Sequence, residues 1–312
     1  MSAIRIENLT KTYGAVRALD GLSLEVAEGS VFGFLGPNGA GKTTTIRILT
    51  GLARASSGTA RVAGVEIGHN GALARKIGYL PEEPPFYAWM RAQEFLEYAA
   101  QLFGLGAAAR RQRAEELLRL VGLWDVRKRV IRGFSRGMRQ RLGIAQALVN
   151  RPQVLFLDEP ASALDPAGRR DVLELIAGLR GQCSVFMSTH ILADVERVCD
   201  TVGIIHKGRM LRVARQEELL DAYAAPVFRV EVSTNGGSEL NDWANQIAAE
   251  EYVEQVRAEE NAVRIRVREL DCARRQLLAA LAGSGLPVER FELVKPSLEE
   301  VFLELVNEES NA

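Results

Sequence analysis

A chain of 312 residues has room for two domains, and 47% apolar with 25% charged residues is the composition of an ordinary soluble globular protein. A net charge of −1 supplies no bulk field toward nucleic acid or an anionic bilayer, and no apolar run approaches the ~18 residues that a membrane span needs. The N-terminus, Met1-Ser-Ala-Ile-Arg-Ile6, lacks the apolar core of a signal peptide, and Cys183, Cys199 and Cys272 are scattered and odd in number, as expected of reduced, packed thiols in the cytoplasm.

Residues 4–9 and 22–35 read as strands, with Gly14, Gly21 and Gly29 as breaks. Tyr13, in Lys11-Thr-Tyr-Gly14, is able to stack on a base, although a Tyr beside a Gly more often simply packs. Val31-Phe-Gly-Phe-Leu35 is a short apolar strand, and Thr44–Leu49 opens a helix ending near Gly51. Between them stands Gly36-Pro37-Asn38-Gly39-Ala40-Gly41-Lys42-Thr43, which matches the phosphate-binding pattern G-x-x-x-x-G-K-[ST]. The glycines let successive N–H groups turn inward toward phosphate oxygens, and the helix behind adds its positive end. Lys42 brings a full charge to the β- and γ-phosphates, and the Thr43 hydroxyl is suited to Mg²⁺.

A strand near 59–63 follows, then Ile77-Gly-Tyr-Leu80. Pro81, Pro84 and Pro85 stop regular structure, and Phe86, Tyr87, Trp89 and Met90 come directly after. From 91 to about 150 the pattern is helical, over 94–102, 107–121 and 138–149, so an all-helical insert interrupts an α/β domain. Ser135 is placed to cap the last of these helices, with Arg136 and Gly137 in its first turn. Such a start is either a second anion site or a capped surface helix.

Val154-Leu-Phe-Leu-Asp158-Glu159 reads as a buried parallel strand that delivers two acids to its C-terminal edge, where ligands of open α/β sheets collect. Asp158 is suited to holding Mg²⁺, and Glu159 to polarising an attacking water. Asp165 and Pro166 cap and start a helix running to about Gly181. The strand Ser184–Ser188 delivers Thr189 and His190 to the same edge. His69 and His206 have no such context and read as structural. Beyond residue 215 the order becomes β-α-β-β-α-β, over 227–233, 239–250, 252–257, 262–268, 271–282 and 287–294, a split βαβ module of ferredoxin-like type. Asn235-Gly-Gly-Ser238 is one of its loops, and 297–305 is a final amphipathic helix. This module carries no cluster of catalytic or ligating residues.

With these residues in place, the chain resembles the nucleotide-binding subunit of an ATP-binding-cassette (ABC) transporter over residues 1 to about 220. Tyr13 matches the adenine-stacking aromatic, and Gly36–Thr43 with Thr44 the ATP-binding P-loop. Ser135-Arg136-Gly137-Met138 matches the family's signature, which acts on a second chain's nucleotide. Asp158 and Glu159 match the Walker B acids, Asp165 the D-loop, and His190 the switch histidine. The C-terminal module looks like that of drug, antibiotic, lipid or polysaccharide exporters. Two positions depart from the family pattern: Glu82 stands where a Gln is usual, and Arg136 and Met138 alter a signature that is usually Ser-Gly-Gly-Gln.

The resemblance implies an α/β P-loop NTPase cassette, residues 1–222, with an antiparallel β subdomain and a helical insert at about 84–150, followed by an α+β accessory domain at 226–312. It implies an ATPase using ATP and Mg²⁺, with Lys42, Glu159 and His190 catalytic and Thr43, Glu82 and Asp158 around the metal. Expected partners are a second ATP-binding subunit, in a homodimer, and an integral membrane permease. No nucleic acid is expected. The subunit would lie on the cytoplasmic face of the cell membrane, held there by the permease. Two other readings stay open: a soluble ABC ATPase acting on ribosomes or nucleic acid, and a slow nucleotide-binding regulator.

Overall fold

The computed structural model describes residues 2–68, 71–222, 226–233, 237–259, 261–294 and 298–311. His69, Asn235, Pro296, Ser297 and the 223–225 part of the expected domain boundary lie outside them. The chain divides into two compact units, Met1–Gln216 with Val306–Ala312, and Glu217–Leu305. Among the described residues no helix is long and apolar enough to cross a membrane.

The first unit begins with β1 (Ser2–Tyr13), β2 (Val16–Ala27) and β3 (Val31–Leu35), followed by α1 (Lys42–Leu49). Next come β4 (Ser57–Val62), β5 (Val65–Glu66) and β6 (Ile77–Leu80). The insert contributes α2 (Ala92–Leu102), α3 (Ala107–Leu120) and α4 (Arg136–Ala147). Then follow β7 (Val154–Asp158), α5 (Pro166–Ala177), β8 (Ser184–Thr189), α6 (Leu192–Val198), β9 (Thr201–His206) and β10 (Arg209–Arg215).

Two sheets form. One is antiparallel, in the order β2-β1-β4-β5. The other runs β10-β9-β3-β8-β7-β6, parallel except for the β9–β10 hairpin. Strands buried on both faces read as continuous apolar runs, and every residue of β3, β7 and β8 is buried. Phe186 of β8 lies at the centre of this core. Its ring centroid is 5.3 Å from Phe32, 5.1 Å from Phe34 and 5.7 Å from Phe156. The parallel register pairs Leu35 with Thr189 and Asp158 with Ser188, so the ends of β3, β7 and β8 finish level at one edge.

In the insert, Phe86 is half-buried and meets the buried Phe95 of α2 edge-on at 5.2 Å, so it belongs to the insert's own packing. Tyr87 and Trp89 do not: Trp89 is 74% exposed, and Tyr87 packs only on Trp89 and Tyr98. Helix α5 departs from expectation at its C-terminus. It stops at Ala177, with Gly178 as C-cap, rather than near Gly181. Pro166 takes its first position, and Asp165 is the N-cap residue without a side-chain capping bond.

A short helix, α7 (Gln216–Ala222), spans the point where the two units divide. The second unit then contains β11 (Val227–Val232), α8 (Gly237–Ile247), β12 (Val253–Ala258), β13 (Ala262–Val267), α9 (Leu270–Ser284) and β14 (Val288–Val294). Its sheet order, β12-β13-β11-β14, is antiparallel throughout, the arrangement of a split βαβ module. Alternation in β11 buries Phe228, Val230 and Val232 with Trp243 of α8 and Leu277 of α9. Arg229, Arg264 and Arg266 stand between those apolar positions. The first two pair with Glu231, Glu259 and Glu300, the last of these on α10 (Leu298–Asn311). Among the described residues no cluster of His, Cys, Asp and Glu is arranged to hold a metal.

Candidate active site

Strand β3 ends at Leu35 and the chain turns at once into the glycine loop. At Gly36 a side chain would strike the Ile205 carbonyl, and at Gly41 the backbone has φ 110°, a conformation that favours glycine. Gly36 N–H donates to the Thr189 carbonyl at 3.3 Å, and Gly208 N–H donates to the Ala40 carbonyl at 3.0 Å, so β8 and the β9–β10 turn pin the loop from outside. The N–H groups of Gly41 to Thr44 have no backbone acceptor among the described residues. Donors converging at a helix start form a cradle for phosphate.

Lys42 is 6% exposed and folds back over the loop. Its Nζ donates to the Gly36 carbonyl at 2.8 Å and the Pro37 carbonyl at 3.3 Å, and lies 3.2 Å from Glu159 Oε1. The other oxygen of Glu159 accepts from His190 Nδ1–H at 3.0 Å. An ionised carboxylate only accepts, which assigns the proton to Nδ1. Glu159 also has φ 47°, an unfavourable backbone for a residue with a side chain. Its N–H is held by the Ser188 carbonyl at 3.1 Å and by Ser188 Oγ at 3.2 Å.

Beside this pair sits Asp158, 2% exposed. Thr43 Oγ1 donates to its Oδ1 at 3.2 Å, and Ser188 Oγ donates to the same oxygen at 2.6 Å. Burial raises the Asp158 pKa. The Ser188 and Thr43 hydrogen bonds oppose the shift, the Glu159 charge adds to it, and Lys42 opposes it. Hydroxyl and carboxylate oxygens are the donors Mg²⁺ prefers, with water and phosphate completing its shell. A carboxylate whose charge is disfavoured by burial gains from a cation. The Thr43–Asp158 pair therefore fits Mg²⁺.

The edge thus gathers Lys42, Thr43, Asp158, Glu159, Thr189 and His190. Tyr13 ends β1, exposed, with Lys11 Nζ 4.6 Å from its ring centroid. Pro37, Asn38 and Gly39 are exposed at the loop tip. The described contacts do not bring Glu82 to Thr43 or Asp158. Instead it lines a groove with Glu83, Phe86, Arg132, Arg136 and Arg139. Ser135 caps α4 by accepting from Met138 N–H at 3.2 Å. No hydrogen bond or ion pair joins Ser135–Met138 to the glycine loop of the same chain among the described residues. Asp165 heads α5, and that helix is tied to α6, just after His190, by Arg169 Nε and Asp194 Oδ1 at 2.7 Å.

Sequence reasoning missed Ser188. It was only the last residue of an apolar strand, yet it orients both acids. A polar side chain two residues before His190, in a run that is otherwise apolar, was the available signal.

Comparison with known proteins gives the same picture. Residues 19–162 match the family described as ABC transporter, and residues 216–306 match the C-terminal domain of ATP-binding proteins like DrrA1-3. The uncharacterized ABC transporter ATP-binding protein YxlF of Bacillus subtilis is 39% identical over 97% of this chain and 99% of its own length. The bacitracin transport ATP-binding protein BcrA of Bacillus licheniformis is 42% identical over 67% of this chain and 68% of its own length. The daunorubicin/doxorubicin resistance ATP-binding protein DrrA of Streptomyces peucetius is 34% identical, covering 97% and 92%. A solved ATP-binding subunit of an ABC transporter superposes with a TM-score of 0.64 at 30% identity, over 71% of this chain and 93% of its own. With a relative this similar over nearly its whole length, the chain belongs to the ATP-binding subunits of ABC transporters, a family of ATPases.

Proposed function

We propose that this chain is the ATP-hydrolysing motor of an exporter whose permease is a separate membrane protein. The observation that carries the reading is the Glu159 carboxylate held between Lys42 and His190, beside the Thr43–Asp158 pair. Glu159 is the general base that orients and deprotonates water for attack on the γ-phosphate. His190 holds its carboxylate in place. Lys42 leaves Glu159 for the phosphates when ATP enters, and Tyr13 meets the adenine. Mg²⁺, held by Thr43 and Asp158, neutralises phosphate charge when bound. Ser135–Met138 close over the nucleotide of a second copy, so ATP joins two chains head to tail. Asp165 faces that same junction.

Export is supported by the named activities of the resistance and bacitracin transport relatives and by the C-terminal match. In this reading residues 1–222 are the ATPase and 226–312 an accessory domain that supports dimer contacts or regulation. A chain ending at residue 222 should still bind ATP. The permease docks beside Glu82–Met90, where the exposed Tyr87 and Trp89 form its apolar contact. The protein therefore works at the cytoplasmic face of the membrane. ATPase activity in detergent, with and without the co-purified permease, tests the whole assignment. Hydrolysis stimulated by the permease is expected, and hydrolysis indifferent to it would remove the transport role.

A further inference from the structure

Between Asp125 and Asp158 the sequence contains no carboxylate, while residues 127–141 contain seven Lys and Arg. Some of these cations are spent inside the protein. Arg127 stacks on Trp124, 4.0 Å from its ring centroid, and Arg141 donates to the Val121 carbonyl at 3.2 Å. Arg132, Arg136 and Arg139 are different. All three are exposed, and among the described residues none has an ion pair or a side-chain hydrogen bond. They line one groove of about 360 Å³, with Phe86 and Pro84 as its apolar part and Glu82 and Glu83 also on its wall. The two glutamates do not come within ion-pair distance of the arginines. Three guanidinium groups converge on a concave surface without a counter-charge.

Guanidinium groups recognise carboxylates through paired donors, and unpaired charges around an apolar floor fit a partner bringing the opposite sign. We propose that the groove takes a short cytoplasmic segment of the permease that bears carboxylates, and that Arg132 and Arg139 select it by pairing with them. This rests on the permease reading above and adds the partner's chemistry to it. The segment lays an apolar face on Phe86 and turns its acids to the arginines. Tyr87 and Trp89 give the apolar contact next to the groove, and the arginines decide which permease is accepted. A concave groove holding converging side chains suits a peptide segment better than the flat face of a bilayer.

The test uses the full chain reconstituted with its permease in liposomes. Arg132→Glu combined with Arg139→Glu should reduce permease stimulation of ATPase about tenfold, while the rate of the subunit alone stays within about twofold. Arg132→Lys with Arg139→Lys should retain most of the stimulation. An Asp or Glu→Lys change in the docking segment should restore stimulation to the charge-reversed subunit. Where reversal unfolds the insert, Arg132→Gln with Arg139→Gln replaces it, and permease affinity should then lose its dependence on salt. Intact stimulation in the reversed variant, together with loss in Tyr87→Ala/Trp89→Ala, would leave docking in place and overturn the carboxylate pairing. If neither variant loses stimulation, both the pairing and the docking reading fall. Charge-dependent binding to anionic vesicles lacking the permease would assign the arginines to lipid and also overturn the proposal.

Discussion

Lys42 Nζ lies 3.2 Å from Glu159 Oε1, and the two side chains are 6% and 8% exposed. One ion pair thus joins the glycine loop to the end of β7. Phosphate and Glu159 compete for the same ammonium, so nucleotide entry frees the carboxylate that is needed for hydrolysis.

Glu159→Gln keeps size and hydrogen bonding but removes the base. Hydrolysis should fall about 10²–10⁴-fold, the usual cost of losing a general base. ATP binding should survive, and gel filtration with ATP should show a long-lived dimer. Turnover close to the parent's would mean that another group activates the water.

Lys42→Ala should lose ATP affinity steeply. It also leaves a buried carboxylate with only His190, so unliganded stability should drop by about 1–3 kcal/mol. Ser135→Arg should spare ATP binding by a single chain and block dimer formation. Nucleotide titration and light scattering separate the two effects. Equal loss of nucleotide binding in both variants contradicts a site shared between chains.

Ser188→Ala removes the 2.6 Å hydrogen bond to Asp158 and the Oγ contact to the Glu159 N–H. The Mg²⁺ concentration for half-maximal activity should rise about tenfold, as expected for one hydrogen bond to a charged group. Ser188→Thr should recover part of the loss. An unchanged Mg²⁺ requirement would show that Asp158 needs no orienting partner.

Arg169→Ala should destabilise the fold by about 1–3 kcal/mol at pH 7, because Asp194 is left buried and ionised without its partner. Burial holds the Asp194 pKa above its ordinary 3.8, with Arg169 opposing the shift. A raised carboxylate pKa means that folding takes up a proton. The contribution of Asp194 is therefore most favourable below 3.8 and is lost as pH rises through the raised value. Without the guanidinium that loss is larger, so the gap between variant and parent should narrow on acidification. Denaturant melts from pH 7 down to pH 4 measure it, and a gap independent of pH would assign the effect to lost packing instead.

The glycine loop was legible because its chemistry lies in consecutive residues and its strand and helix flank it directly. The second unit was legible for a related reason. Its strands alternate with period two and its helices fill the intervals, so β-α-β-β-α-β could be read off in order. What the sequence hid depends on register between distant strands. Ser188 reaches Asp158 across 30 residues because β7 and β8 are parallel neighbours, and nothing local marks that pairing. Glu82 was expected at the metal because it follows a core strand, yet the turn after Leu80 carries it into the groove with Arg132 and Arg139. The end of α5 was set three residues too late because Gly178 caps the helix before Gly181 can.

The left-handed backbone at Glu159 has a consequence for anyone seeking a hardier protein. Such a conformation costs about 1–3 kcal/mol in a residue with a side chain. Glycine tolerates it freely and asparagine nearly so. A search for heat-resistant variants by melting temperature alone would favour those residues at position 159. It would collect proteins that endure longer and no longer turn over, so selection for robustness here has to be run against a catalytic readout from the first round.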